Sequence, residues 1–265
     1  MADTKAYGLD LAGYSTKGSA LAMAERTGDA ITVTIMRGNV FAKQAAGTDN
    51  LATVSDPELN ELKRLMKEAP IYVDVPIDLQ GLPAFKGATK VADLTKRPID
   101  QALGALPPLA DKIGSYVARM QHLRRRLTTE SGTDPLGTDL FETYPAASLK
   151  QSGYSREGYK GTAEFDGTQW IGVGAKKDTE QKKNNTLAGL LNDLQWKAAK
   201  DFRLVHDEFD AAICALTGLD NQLKGVELRR AALLSANQDL PTGYVILKSI
   251  PMRVAIRLDE LGGQP

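Results

Sequence analysis

The stretch Ile71-Tyr72-Val73-Asp74-Val75-Pro76-Ile77 constrains this chain most. It is a short β-branched run with one acid inside and a proline near its end. Short continuous apolar runs closed by breakers are the pattern of strands buried on both faces of a sheet. An ionised carboxylate in such a strand is costly, so Asp74 must be paired, protonated or metal-bound. Pro76 has no N–H for a sheet ladder, which predicts the end of the strand there. Asp74 then lies near the carboxyl end of a parallel strand, where open α/β sheets gather their ligands. The alternative is a structural aspartate bonded to a loop amide.

Ahead of this strand, Ala6-Tyr7-Gly8-Leu9-Asp10-Leu11-Ala12-Gly13 repeats the layout, with Asp10 as its acid. Further strands are expected at Ser19 to Glu25 and at Ala30 to Arg37, joined by the hairpin-type connection Thr27-Gly28-Asp29. The chain thus opens as a three-stranded antiparallel meander. Ser55 and Glu58 have capping-box spacing, which predicts a helix from Asp56 to Glu68. The Asp74 strand follows it, in the β-α-β order of parallel strands. A short helix is expected over Ile99 to Leu106, and helical spacing of Ile113, Val117, Met120 and Leu123 predicts another over Leu109 to Leu127. The arginines Arg124 to Arg126 read either as a solvated helix end or as a phosphate-binding patch. Asp139 to Pro145 is a third acid-bearing strand, holding Glu142, and a helix should start at Ala146.

Residues 151–183 are irregular, with Trp170 to Val173 as a short strand, and read as an insertion or mobile loop in a single domain spanning 1–265. Lys176, Lys177, Lys182 and Lys183 are a charge run, solvated or phosphate-facing. Helices are expected over Asn184 to Lys200 and Glu227 to Ser235, with a final strand from Gly243 to Lys248. His206 to Leu216 is strongly helical and rich in small residues. There Asp207 and Asp210, three apart, share one helix face.

Close carboxylates repel, and a hard divalent cation removes that repulsion. Asp10, Asp74, Asp207 and Asp210 are therefore candidate ligands of one or two Mg²⁺ or Mn²⁺ ions, with Glu142 as a further ligand, an orienting group or a water-positioning base. Asp207 alone also reads as a helix cap. His206 is a candidate orienting residue; His122 has no catalytic partners in sequence, and Cys214 reads as a small core residue. One Cys and two His exclude an internal disulfide and a zinc cluster of that type. Lys plus Arg and Asp plus Glu number 33 each, so no overall field attracts nucleic acid. No apolar run approaches the ~18 residues of a membrane span, and the N-terminal residues lack a signal-peptide core. A cytosolic protein with no membrane association is expected.

Gly8-Leu9-Asp10, Val73-Asp74-Val75-Pro76-Ile77, Phe141-Glu142-Thr143-Tyr144-Pro145 and Asp207-Glu208-Phe209-Asp210-Ala211-Ala212 together resemble the predicted-nuclease family catalogued as domain of unknown function 429. Arg97-Pro98-Ile99-Asp100 resembles that family's Arg-x-x-Asp stretch. The order of acids is similar to the ribonuclease H-like superfamily, its RuvC-like resolvases in particular. The resemblance implies an α/β ribonuclease H-like mixed sheet, a meander followed by parallel strands, flanked by helices. It implies a metal-dependent nuclease in which Arg97 and Asp100 either contact substrate or form an exposed ion pair. Two other readings stand beside it. One is a nucleotide- or phosphometabolite-binding regulator on the same fold, although no P-loop-type sequence is present. The other is a scaffold with vestigial acids.

Overall fold

The computed structural model describes residues 4–15, 18–79, 95–109, 112–154, 159–173, 187–224, 245, 247 and 249–260. The opening strands β1 (Thr4–Asp10), β2 (Ala20–Thr27) and β3 (Ala30–Arg37) form the expected antiparallel meander. Strand β4 (Ile71–Val73) pairs parallel to β1, and β5 (Leu140–Glu142) pairs parallel to β4. Strand β9 (Ala255–Glu260) pairs parallel to β3 on the opposite edge, giving the order β5-β4-β1-β2-β3-β9. The result is an α/β fold with a mixed six-stranded sheet.

Alternation along the central strands sends successive side chains to opposite faces. Ala6 and Tyr72 enter one hydrophobic core, whereas Tyr7, Leu9, Ile71 and Val73 enter the other. Helices α1 (Leu51–Glu68) and α3 (Gly114–Ser131) cover the second core with Leu59, Leu62, Leu65, Met120 and Leu123. Each fully buried leucine contributes roughly 1.5–3 kcal/mol of transfer free energy. A buried ion pair, Arg119 with Glu58, joins α3 to α1. The first core is covered by the late helix, α6 (His206–Lys224). Of two short helices, α2 (Pro98–Leu103) and α4 (Pro145–Gln151), the second follows β5 and contacts α6.

A second, antiparallel sheet has the order β7-β6-β8, built from β6 (Thr162–Phe165), β7 (Trp170–Val173) and β8 (Phe202–Val205). Helix α5 (Leu187–Asp193) packs on it. Among the described residues no helix is long and apolar enough to cross a membrane.

Several sequence expectations are corrected. Helix α1 starts at Leu51, capped by Asn50, whose side chain accepts from the amides of Ala52 and Thr53. Ser55 and Glu58 are buried inside that helix, so their capping-box spacing reflects interior contacts. The β4 strand ends at Val73, before Pro76, because the chain bends at Asp74. The expected Asn184 to Lys200 helix stops at Asp193, and Gln195 turns the chain away with φ 56°. Its leucine stripe is nonetheless buried, Leu194 included. Arg124 to Arg126 lie inside α3, which runs on to Ser131. Residues 227–235 and Lys176, Lys177, Lys182 and Lys183 lie outside the described residues. So does most of 243–248, where Val245 and Leu247 belong to no strand.

Candidate active site

The site begins with a close helix–sheet contact. A Cβ placed on Gly8 in β1 would lie 2.1 Å from the Ala211 carbonyl oxygen and 2.2 Å from the Ala215 nitrogen of α6. Only glycine allows α6 to lie this near the strand. The small residues Ala211, Ala212 and Ala215, all buried, complete the fit. The first turn of α6 therefore overhangs the carboxyl end of β1.

That contact brings four acids together. Asp10 ends β1, and the amide of Asp74, just past β4, donates to the Leu9 carbonyl at 2.9 Å. Asp207 and Asp210 descend from α6, one helical turn apart. All four line one cavity of about 310 Å³, along with Glu142, Arg97, Asp100, Thr143 and Lys160. Asp207 is inside the first turn, so its cap reading is replaced by Glu208, whose carboxylate accepts from the Val205 amide at 3.1 Å.

Electrostatics at the cavity follow from burial and crowding. Burial, then Asp74, Asp210 and Asp207, hold the Asp10 carboxyl well above its ordinary range. Burial and Asp210 do the same to Asp74. Asp210 is also raised by burial, but Lys160 and the Tyr159 hydroxyl oppose the rise. Tyr159 donates to Asp210 at 2.8 Å, and the Lys160 Nζ stands 3.1 Å from its Oδ2. His206 Nε2 is 3.0 Å from Asp207, and that bond raises the imidazole. His206 thus braces the Asp207 carboxylate.

Glu142 is held differently. Its Oε1 accepts from Arg97 Nη2 at 2.6 Å, and its Oε2 accepts from Arg97 Nη1 at 2.8 Å and from the Ile77 amide at 2.7 Å. Arg97 also grips Asp100, through Nε at 2.9 Å and Nη2 at 2.7 Å. Burial works against the Arg97 charge, but Asp100 and Glu142 outweigh it and raise its affinity for the proton. The pair expected at the surface is buried, with side-chain exposures of 1% and 3%. This triad reads as the support under the cavity floor. The Thr143 hydroxyl, beside it, has no hydrogen-bond partner among the described residues.

Other sequence candidates take structural roles. Cys214 is buried beneath Gly8, and burial pushes its thiol up, which removes it as a nucleophile. Burial first, then Arg126 and Arg125, hold His122 down, and its Nε2 faces the Ser55 hydroxyl at 3.3 Å. Arg124 is paired with Asp134, and Arg126 with Asp56 and Glu130, leaving Arg125 as the exposed member of that run. Tyr159 and Lys160 were missed in the sequence, because only the β6–β8 register connects them to α6.

The donor set is all carboxylate oxygen, which suits a hard divalent cation. Among the described residues, no three His, Cys, Asp or Glu side chains are grouped closely enough to hold an ion as placed. Burial and mutual repulsion raise the carboxyls of Asp10 and Asp74, and Lys160 opposes the rise. Comparison with protein-family models, curated proteins and solved structures finds no match.

The sign of the pH dependence follows from these shifts. A carboxyl raised on folding lets the folded chain bind more protons than the unfolded one. Its contribution to stability therefore falls as pH rises from the unfolded value, about 4, through the folded value. In EDTA at neutral pH, Asp10→Asn is expected to be more stable than wild type. The gap should shrink as pH falls toward the ordinary carboxylate range, because the raised Asp10 carboxyl takes up its proton before an unfolded one does. Urea unfolding of both chains across this range checks it, and a variant less stable at neutral pH contradicts the crowding described.

Proposed function

We propose that this protein is a metal-dependent phosphodiesterase acting on nucleic acid, on a ribonuclease H-like fold of the family catalogued as domain of unknown function 429. The carrying observation is the meeting of four acids from β1, the end of β4 and one face of α6 in a single cavity. Asp10, Asp74, Asp207 and Asp210 are the residues that would hold Mg²⁺ or Mn²⁺. Such ions, when bound, supply an activated water and stabilise the leaving oxygen of a phosphodiester.

The remaining residues do the positioning. His206 orients Asp207, and Tyr159 orients Asp210. Glu142 serves as an orienting group instead of a ligand, since Arg97 and the Ile77 amide already engage both of its oxygens. Asp100 holds Arg97, and Arg97 holds Glu142, at the floor of the cavity.

Thermal unfolding in EDTA, Mg²⁺ or Mn²⁺ tests the metal. At ~100 times its Kd, an ion bound only by the folded chain stabilises it by ~2.7 kcal/mol. For a chain of this size that is several degrees, at about 2–4 °C per kcal/mol. Wild type should show the shift and Asp74→Asn should lose it. Cleavage of single- and double-stranded DNA and RNA is then read with and without metal. A shift in wild type without cleavage of any substrate moves the reading to a non-cleaving nucleotide or phosphometabolite binder. No shift with either metal removes the hydrolase reading.

A further inference from the structure

The small sheet carries a cation into the acid site. In the β6–β8 pairing Thr162 stands opposite Val205. One step beyond, the His206 amide donates to the Gly161 carbonyl at 3.0 Å, and the Gly161 amide approaches His206 Nδ1 at 3.4 Å. The next residue is Lys160, and this register sets its side chain against α6. Its Nζ reaches Asp210 at 3.1 Å, yet the side chain is 60% exposed. Its charge acts on Asp10, Asp74 and Asp207 as well as Asp210. Of the two cationic side chains lining the cavity among the described residues, Arg97 is buried and committed to Asp100 and Glu142. Lys160 is the exposed one.

Two like-charged species cannot share one set of carboxylates without cost. A divalent ion on Asp10, Asp74, Asp207 and Asp210 repels an ammonium 3.1 Å from Asp210. An exposed, flexible stem lets that ammonium swing away without unfolding anything. It is then the cation nearest any anionic ligand entering the same cavity.

We propose that Lys160 is the substrate-phosphate contact of this site, held by Asp210 as a resident counter-ion until a divalent cation claims the carboxylates. The proposal rests on the metal reading above. It assigns the β7-β6-β8 sheet a role, the delivery of Lys160.

Calorimetric titration of the full chain with Mn²⁺ alone, then with inorganic phosphate at saturating Mn²⁺, tests it on wild type, Lys160→Met and Lys160→Arg. With its competitor removed, Lys160→Met should bind Mn²⁺ at least about tenfold more tightly. It should bind phosphate about tenfold more weakly, through loss of a charge-assisted contact. Lys160→Arg, which keeps the charge, should stay near wild type in both titrations. Circular dichroism and urea unfolding in EDTA confirm that each variant is folded. Equal Mn²⁺ affinity in wild type and Lys160→Met, or undiminished phosphate binding, overturns the assignment and leaves the metal site standing. Mn²⁺ binding by Lys160→Met alone supports the counter-ion role and removes the hydrolase reading for the native chain. Binding by neither chain overturns both.

Discussion

Arg97→Ala is expected to be among the most damaging single changes, lowering stability by about 3–5 kcal/mol. The arginine is 1% exposed and pairs with two carboxylates that are themselves 3% exposed. Removing it strands Asp100 and Glu142 without a cation, and strips the donor from the Asp78 carbonyl that Arg97 holds at 2.7 Å. The midpoint of thermal unfolding should drop by roughly 6–20 °C at about 2–4 °C per kcal/mol. The loss belongs to the stranded charges, so the variant should recover with falling pH as Glu142, whose carboxyl burial already raises, takes up a proton. Replacing all three members with apolar residues of similar volume should restore much of the stability. A cost below about 1 kcal/mol for Arg97→Ala would falsify the buried triad.

The second large effect is expected at Gly8. A single methyl there collides with the backbone of α6, at Ala211 and at Ala215, where no side chain can rotate out of the way. Gly8→Ala must push the helix off the sheet, and overpacking of this kind costs about 3 kcal/mol or more when backbone has to move. The same displacement lifts Asp207 and Asp210 away from Asp10 and Asp74. Urea unfolding reads the first consequence, and the Mn²⁺-induced thermal shift reads the second. Full stability with an intact metal shift in Gly8→Ala is incompatible with the contact. The comparison with Arg97→Ala is useful because that variant damages the floor of the cavity, whereas Gly8→Ala separates its two walls.

How much of this was legible in the sequence depends on how local each signal is. The meander, β4 and β5 were readable because short apolar runs interrupted by one acid leave few alternatives. Helix α6 was readable from its alanines and its paired aspartates. The remaining strands carried weaker signals. Strands β6 and β8 are four residues each, too short for alternation to stand out. In β9 only Ile256 is buried, so this edge strand reads as polar chain. The grip of Arg97 on Glu142 spans 45 residues and follows no period. The approach of Lys160 to Asp210 depends on a strand register between segments that propensity alone does not pair. The false capping box at Ser55 has the opposite cause. A local motif was present, but Glu58 is taken by Arg119 in the interior.

The spread of the four acids along the chain has a consequence for synthesis. Asp10 and Asp74 emerge early, but Asp207 and Asp210 lie two hundred residues after the first of them. Contacts so distant in sequence form only after much of the chain is available to close the loop. No N-terminal fragment that stops short of α6 can gather the four carboxylates, however well its meander has folded. A nascent or truncated chain without α6 is therefore silent at this site, and any chemistry there waits until that helix has been made.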